Sequence, residues 1–372
     1  MDLHKATNRN ERASLLSEET QLNISEVQKV LIDDEARIHC ENLIGAVTIP
    51  LGVAGPLAIQ KDSKTSIHYV PLATTEGALV ASVSRGCKAT HMSHGVVTRV
   101  VETGTSRGPV FYVESLTQQA QFISWLHNNE KDIKKMAEST SHHLTYLSMH
   151  IQTSGLHIYV RFMFNTDQAM GMNMVTIATQ KLVEYISEKT GVTCLAVAGN
   201  YDVDKKPSWM NMINGRGIQA WAECVISEEA LTKVLKTTSE KLYNVWLAKC
   251  MVGSAMSGSL GYNAHYANIV AAFFAATGQD LAHVVEGSMG ITYMEKRANG
   301  IYLSVYLPSL MLGMVGGGTG LITQTEARSL TKVQTKNELA EVLVAAVLCG
   351  ELSLLSSLSA GTLASAHKNL GR

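Results

Sequence analysis

The chain has 372 residues, of which 46% are hydrophobic and 17% charged, so it is long enough for two domains and too apolar to be disordered. Its formal net charge of −1 provides no overall positive field for nucleic acid or an anionic membrane. The six cysteines contain no CxxC pair, and residues 1–19 lack the apolar core of a signal peptide. We therefore expect a cytoplasmic protein that binds neither nucleic acid nor membrane.

The first half of the chain alternates between helical and strand patterns. In chain order the residues predict helix 25–39, strands and tight turns 42–57, helix 74–89, strands around a Gly104 turn 95–113, helix 115–141, strand 156–164, helix 173–189 and strand 192–198. The stretch from about 109 to 196 therefore reads as a compact α+β module inserted within a larger domain.

The second half is dominated by helices. Helical patterns cover residues 227–249 and 263–277, and a long apolar helix is predicted over 339–365. The uncharged stretch 298–325 has the length of a membrane span, but Pro308 and the glycines at 316–318 interrupt it. A buried strand followed by a glycine loop fits this stretch better.

Several common functional motifs are absent. No GxGxxG follows a strand and no GxxxxGK[ST] occurs, which excludes the usual dinucleotide and P-loop signatures. Residues 104–108 match G-x-S-x-G, but a strand-forming run follows where a hydrolase requires a helix. Cys87, His91 and His94 have metal-like spacing without a second ligand pair, so we expect no metal.

Four short stretches place an ionisable group among small residues. Glu76 begins a predicted helix, where a favourable helix dipole would also explain it. Lys205 lies in a charged run that, alone, would be a solvated loop. Asp280 closes an uncharged helix, and His367 is close to the C-terminus. Singly, each residue has an ordinary explanation.

Together these stretches resemble the catalytic domain of 3-hydroxy-3-methylglutaryl-CoA reductase, more closely its class I branch. The resemblance runs from about Glu41 to Arg372. The matching motifs are Glu41–Gly45, Ile49–Leu57, TTEG at 74–77, DKKP at 204–207, Gly253–Met256, Asn263–His265, Gly278–Asp280 and Val315–Thr319. Their number and order identify the chain as a member of this family.

The resemblance implies an α+β fold with a large helix-centred domain. Its expected parts are a small N-terminal helical segment at 1–40, a substrate- and coenzyme A-binding domain at 41–108 and 197–372, and an inserted ferredoxin-like, nicotinamide-cofactor-binding module at 109–196. It also implies a homodimer with shared active sites, with or without pairing into a homotetramer.

The implied reaction is the four-electron reduction of hydroxymethylglutaryl-CoA to mevalonate and free coenzyme A, with NADPH as hydride donor and NADH also possible. Two alternatives stay open. One is the same enzyme class acting on another acyl-CoA or oxidising mevalonate with NAD. The other is a coenzyme A-binding homologue that has lost hydride transfer.

By the same resemblance, Lys205 stabilises the charged oxygen, Glu76 is the general acid, Asp280 couples to both, and His367 protonates the departing thiolate. Substrate contacts are implied for Arg107, Lys206, Asp204 and Asn268. Coenzyme A contacts are implied for Arg85, Lys88, Lys236 and Lys249. Cofactor contacts are implied for Ser141, His142, Gln168, Met170, Gly171, Met172, Asn173, Gly317 and Gly318.

Three positions depart from the family pattern. Gln168 replaces the acid of a D-A-M-G-M-N motif, and Asp167 could substitute only if the loop shifts. His142 stands where relatives that favour NADPH often carry an arginine, and a neutral imidazole holds a 2′-phosphate poorly. Ala198 replaces a serine that often contacts the substrate, which either removes one hydrogen bond worth about 1 kcal/mol or indicates a different acyl group. The departures at Gln168 and His142 concern the hydride donor rather than the reaction.

Overall fold

The computed structural model describes residues 8–21, 23, 25, 40–61 and 64–361. His367 and most of the helix predicted over 25–39 lie outside these residues. The described α-helices are α1 (Arg9–Thr20), α2 (Leu79–Met92), α3 (Leu116–Asn128), α4 (Glu130–Glu138), α5 (Met172–Thr190), α6 (Trp209–Asn214), α7 (Glu228–Ala230), α8 (Ser239–Trp246), α9 (Ser254–Ser257), α10 (Tyr266–Thr277), α11 (Val284–Gly287), α12 (Ile322–Ser329) and α13 (Lys336–Ser359).

Short π-helical turns follow α7 and α8, at Leu231–Leu235 and Leu247–Gly253, and 3₁₀ turns occur at Leu281–His283 and Gly317–Gly320. The strands are β1 (Leu51–Lys61), β2 (Lys64–Ala73), β3 (Val96–Arg107), β4 (Val110–Tyr112), β5 (Thr145–Ser154), β6 (His157–Asn165), β7 (Thr193–Ala196), β8 (Gly217–Ser227), β9 (Ile291–Arg297) and β10 (Gly300–Leu310). The mixture of helices and sheet confirms the predicted α+β class.

Within the described part of the chain, ten strands form one sheet with the central order β7-β4-β6-β3-β8-β10-β9. Strand β1 pairs in parallel with β3, and the other pairings are antiparallel. Strand β3 joins two parts of the sheet, because residues 97–104 pair with β8 and residues 105–107 pair with β6. Arg107, the last residue of β3, therefore lies where the two parts meet.

Helix α13 is the centre of the larger hydrophobic core. It begins with a capping box in which Thr335 and Glu338 exchange hydrogen bonds, and it is buried along most of its length. Helix α2 crosses it at Gly86, where a Cβ atom would overlap the backbone of Cys349. Only glycine permits this approach, which brings the residues of α2 close to the second half of α13.

The same helix is long and apolar enough to cross a membrane, judged by length and composition alone. However, 83% of its most apolar 18-residue window is buried inside the protein. An all-round apolar helix is expected at the centre of a large core. Helix α13 therefore serves as a core helix in this structure.

A second hydrophobic core lies between α3, α4, α5 and the strands β4–β6. Its buried members come from residues 111–192, with Met311 as the one contributor from elsewhere among the described residues. Aromatic contacts fill it, for example Phe111 and Phe122 with ring centroids 5.1 Å apart. The predicted inserted module at 109–196 thus has a core of its own.

Some predicted elements differ from the structure. The helix expected from residue 74 begins at Leu79, because Ala78 takes a left-handed conformation with φ of 71°. Residue Gly104 does not turn the chain, since β3 continues through it with an irregular register. The helix expected over 227–249 is interrupted at Lys236, which has φ of 58°. Four strands, β2, β5, β8 and β9, were not predicted.

Candidate active site

Lys205 and Asp280 form an ion pair at the surface of the larger core. Their Nζ and Oδ2 atoms are 2.8 Å apart, and the Asp280 Oδ1 atom accepts a hydrogen bond from the Ala282 backbone. Burial alone raises the pKa of Asp280, but the Lys205 hydrogen bond, the Ala282 bond and the charge of His283 outweigh it. The net pKa of Asp280 lies below its ordinary value, so the carboxylate is ionised and holds the ammonium group.

A buried network of charged side chains lies next to this pair. Arg216 is completely buried and pairs with Glu286 at 2.8 Å and with Asp204 at 2.9 Å. The same Glu286 oxygen accepts from His283 Nδ1 at 2.6 Å and from the Lys205 backbone at 3.3 Å. A backbone bond to Glu286 helps to hold Lys205 in its left-handed conformation, with φ of 55°.

Three members of this network have the composition of a metal site. Ligand atoms of Asp204, His283 and Glu286 lie within 4.8 Å of one another. However, the guanidinium of Arg216 already contacts both carboxylates. A second cation would compete with it at short range. We therefore assign the cluster to ion pairing.

Glu76 lies apart from the Lys205–Asp280 pair in this chain. It is exposed in the turn before α2, and its Oε2 atom accepts a hydrogen bond from Asn268 Nδ2 at 2.6 Å. Asn268 is in the first turn of α10, whereas Asp280 follows the last turn of the same helix. Residues 268 and 277 are about 14 Å apart along the axis, at about 1.5 Å per residue.

Asn268 lines a cavity of about 680 Å³. Its wall also includes Pro207, Lys249, His265 and Met289, so it extends from the Glu76–Asn268 contact to the loop that carries Lys205. His265 is oriented by Glu351, whose buried carboxylate lies 3.0 Å from its Nδ1 atom. The cavity is large enough for a small-molecule substrate.

Arg107 is less available than the sequence suggests. Its guanidinium contacts Asp202 at 3.0 Å and Asp204 at 3.8 Å, and its side chain is 12% exposed. Lys206 is exposed, with its Nζ atom 3.3 Å from the Asp204 carbonyl oxygen. These two cations thus lie on either side of the Asp204 segment, next to Lys205.

Two of the four residues implied for coenzyme A share a cavity of about 530 Å³. Arg85 and Lys88 lie one turn apart on α2 and line it together with His91 and Lys233. Burial lowers the pKa of Arg85, and its guanidinium donates to the hydroxyl and carbonyl of Ser353 at 3.0 and 2.5 Å. Arg85 is therefore held in place by α13.

The other two residues implied for coenzyme A are not in this cavity. Lys236 is exposed at the end of the π-helical turn after α7, and Lys249 lines the larger cavity beside Asn268. The structure thus separates Lys249 from Arg85 and Lys88. Sequence reasoning missed Lys233 and His91, although His91 lies one turn after Lys88 on the same helix.

Apart from Ser141 and His142, the residues implied for the cofactor lie on or next to two loops that meet near Asp280. A bridge between Ala169 and Val315 joins the loop before α5 to the loop that carries Gly317 and Gly318. Gly318 lies against the backbone of Gly278, two residues before Asp280. Just before α5, Gly171 has φ of 92°, and the Met170 carbonyl oxygen accepts a hydrogen bond from the Thr105 hydroxyl. In the first turn of α5, Met172 is buried with its sulfur 3.0 Å from the Arg216 guanidinium, whereas Asn173 is exposed.

The departure at Gln168 has a structural explanation. Its side-chain oxygen accepts a hydrogen bond from the backbone of Lys336 at 3.0 Å, and thereby caps the first turn of α13. Asp167 does not replace the family acid, because its carboxylate pairs with His143 at 3.0 Å. Gln168 thus anchors the central helix to the cofactor loop.

A lysine that the sequence did not single out reaches the turn of Ser141 and His142 from α5. Lys181, on α5, donates from Nζ to the Ser139 hydroxyl at 2.9 Å. His142 itself is exposed, and the Ser141 hydroxyl accepts from the His143 backbone. The turn therefore has a cation nearby even though an arginine is missing from it.

Sequence comparisons place these observations among known proteins. Residues 8–372 match the family model described as hydroxymethylglutaryl-coenzyme A reductase. The chain is 44% identical to 3-hydroxy-3-methylglutaryl-coenzyme A reductase of Methanothermobacter thermautotrophicus, over 94% of this chain and 90% of that protein. It is 45% identical to the enzyme of the same name from Methanocaldococcus jannaschii, over 97% and 92% of the two chains.

Solved structures share the fold at much lower identity. The class II 3-hydroxy-3-methylglutaryl-CoA reductase from Streptococcus pneumoniae, bound to NADPH in open conformations, superposes with a TM-score of 0.72 and 17% identity. The match covers 95% of this chain and 97% of that one. At this identity the likeness concerns the fold.

Proposed function

This chain belongs to the hydroxymethylglutaryl-coenzyme A reductase family, and from this premise we propose that the Lys205–Asp280 pair is its catalytic centre. The enzyme is an oxidoreductase that converts 3-hydroxy-3-methylglutaryl-CoA to mevalonate and free coenzyme A. The observation that carries the proposal is the 2.8 Å contact between the lysine ammonium and a carboxylate whose pKa is lowered. A fixed ammonium group is what the reaction requires at the carbonyl oxygen.

The chemistry explains the need for Lys205. NADPH, when bound, supplies the hydride for each reduction. The thioester carbonyl oxygen first becomes a hemithioacetal oxyanion, the C–S bond then breaks to release coenzyme A thiolate, and the aldehyde oxygen finally becomes an alkoxide. Lys205 stabilises negative charge on that oxygen in both reductions, and one such donor contributes about 3–4 kcal/mol.

Protons must reach two atoms in this sequence. Glu76 is proposed to protonate the alcohol oxygen, and its carboxyl group accepts a hydrogen bond from Asn268, which lines the larger cavity. Asp280 keeps the Lys205 ammonium in position. His367, outside the described residues, is proposed as the proton donor to the departing thiolate.

Anchoring groups surround this centre. Lys206 and Arg107 are proposed to bind the terminal carboxylate of the substrate, with Asp204 positioning them through the contacts described above. Arg85 and Lys88 support a coenzyme A phosphate site in the smaller cavity, which Lys233 also lines, whereas Lys236 is proposed as a coenzyme A contact outside this cavity. Lys249, beside Asn268, is better placed to contact the acyl end of the substrate.

We further propose a homodimer, alone or paired into a tetramer, whose active site combines two chains. Within one chain, the Glu76–Asn268 contact lies at the first turn of α10 and the Lys205–Asp280 pair lies beyond its last turn, and residues 268 and 277 are about 14 Å apart along the helix axis. Large apolar side chains are exposed on the segments that flank the catalytic pair, namely Trp209, Ile213, Leu281 and Val285. A second copy that covers these side chains could bring its Glu76 to this Lys205.

Three finer assignments complete the proposal. The division into 1–40, 41–108 with 197–372, and 109–196 is supported by the separate core of the last segment. Membership of the class I branch is proposed from the sequence motifs alone, since the class II structure compared above shares the fold at 17% identity. A cytoplasmic location is supported by four buried free cysteines, Cys87, Cys224, Cys250 and Cys349.

The reaction is tested by its stoichiometry. Purified protein with hydroxymethylglutaryl-CoA and NADPH is expected to consume two NADPH for each coenzyme A released, because the thioester is reduced to an alcohol. Cofactor oxidation is followed by absorbance and coenzyme A by its free thiol. Binding of the acyl-CoA without turnover, with NADPH or NADH, would instead support a homologue that has lost hydride transfer.

NADPH is proposed as the preferred donor because Lys181 supplies a positive charge in the Ser139–His142 turn. Replacing Lys181 with glutamate is expected to raise the KM for NADPH about tenfold or more, since a like charge would face the 2′-phosphate. The KM for NADH should change about twofold at most. Steady-state kinetics with both cofactors measure this, and an equal rise in the two KM values would contradict it.

A further inference from the structure

Three ionisable residues after α10 lie on one side of the chain. Asp280, His283 and Glu286 are spaced three residues apart through the 3₁₀ turn and α11, so their side chains face the same way. His283 Nδ1 lies 2.6 Å from Glu286 Oε1, and His283 Nε2 lies 3.6 Å from Asp280 Oδ2. The histidine therefore stands between the carboxylate that holds Lys205 and the buried glutamate.

This arrangement touches the catalytic lysine at both ends. Glu286 accepts a hydrogen bond from the Lys205 backbone, and Asp280 pairs with the Lys205 ammonium. His283 connects these two carboxylates. The orientation of the His283 imidazole therefore also affects where the Lys205 ammonium group lies relative to the Lys205 backbone.

The imidazole is fully buried, and its Nε2 atom has no hydrogen-bond partner among the described residues. Glu286 can only accept, so Nδ1 carries a proton, and a neutral ring would turn an unprotonated Nε2 toward Asp280. In the doubly protonated ring, Nε2 is a donor that needs to move only a few tenths of an ångström to bond Asp280 Oδ2.

Both ring nitrogens of His283 face carboxylates. The charged groups around His283 are the carboxylates of Asp204, Asp280 and Glu286 and the cations of Arg216 and Lys205, and Arg107 also contacts Asp204 at 3.8 Å. An ionised carboxylate only accepts hydrogen bonds, so each ring nitrogen can serve its neighbour as a donor.

We propose that His283 is a positioning residue of the active site, which donates from Nε2 to Asp280 and holds it, ionised, against Lys205 while Glu286 fixes its own Nδ1. This inference rests on the roles proposed above for Lys205 and Asp280. His283 touches neither substrate nor cofactor; it acts through Asp280. None of the family motifs identified in the sequence contains His283.

The test is the pH dependence of kcat in His283→Gln. A positive charge beside Asp280 lowers the pKa of that carboxyl, so its removal raises the pKa, and the acidic limb of the profile should move to higher pH. At the plateau kcat should fall about tenfold, the size of one lost hydrogen bond, while the KM for acyl-CoA changes less than about twofold. A purely structural role would leave the position of the acidic limb unchanged.

His68→Gln is the control, because it makes the same substitution at a histidine outside the site, whose ring nitrogens contact Thr331 and Ser66, each at 2.7 Å. Its acidic limb should coincide with that of the unmodified enzyme. If His283→Gln folds and its limb also coincides, the inference is wrong. If it does not fold, His283→Asn replaces it: this smaller neutral side chain also removes the positive charge beside Asp280, so the limb should move in the same direction, and an unmoved limb overturns the inference.

Asp280→Asn separates this inference from the proposed function. Near-normal turnover in Asp280→Asn would refute the catalytic roles of the pair themselves. Loss of turnover in Asp280→Asn, together with an unmoved limb in His283→Gln, would refute only the role of His283.

Discussion

Replacing Lys205 with alanine is expected to lower kcat about 10²–10³-fold, because the oxyanion then lacks its fixed cation in both reductions. Folding should persist. The Lys205 side chain is 39% exposed and its ion pair with Asp280 is partly solvated, so its loss should change the free energy of unfolding by about 1 kcal/mol or less. Coenzyme A release under saturating substrate measures kcat, and thermal unfolding measures stability.

The adjacent lysine provides the matched comparison. Lys206→Ala should mainly raise the KM for the acyl-CoA, because its ammonium is proposed to bind the terminal carboxylate and contacts the Asp204 carbonyl rather than Asp280. Lys189→Ala removes a distant exposed lysine that pairs with Glu188, and should leave both constants unchanged. Turnover of Lys205→Ala within about tenfold of the unmodified enzyme would refute the proposed mechanism.

Two inactive variants are expected to restore activity when they form mixed dimers. If each active site takes Glu76 from one chain and Lys205 from the other, a dimer of Glu76→Gln with Lys205→Ala contains one intact site. Random pairing makes about half of the dimers mixed, and half of their sites are intact, so about a quarter of normal activity should return. Each variant alone should stay about 10²-fold or more below normal.

The control combines two substitutions in the part of the active site that one chain contributes, namely the Lys205–Asp280 pair. Lys205→Ala mixed with Asp280→Asn should restore nothing, because every site in the mixed dimer then lacks one member of the pair. Co-expression with two affinity tags isolates the mixed dimers, and the cofactor assay measures their activity. If one chain contained a complete site, neither mixture would regain activity, and the shared-site proposal would be wrong.

Local patterns predicted much of the fold but missed its interruptions. Helix α10 and the buried strand within 298–325 were expected from periodicity and composition, and both occur. The break at Lys236 and the late start of α2 at Leu79 were not expected, because left-handed conformations at Lys236 and Ala78 are set by their surroundings. Strands β2, β5, β8 and β9 were also missed, although β8 buries every second residue over most of its length.

The amino-acid sequence by itself determined the family, the reaction and the pairing of Lys205 with Asp280, because short motifs in a fixed order carry that information. Only the tertiary structure decided how these groups are held. In the folded chain Arg216 donates a hydrogen bond to Glu286, 70 residues later, and Arg85 donates one to Ser353, 268 residues later. Gln168 accepts a hydrogen bond from the start of α13. Contacts between buried polar groups so far apart leave no local pattern, since each depends on how the intervening chain packs.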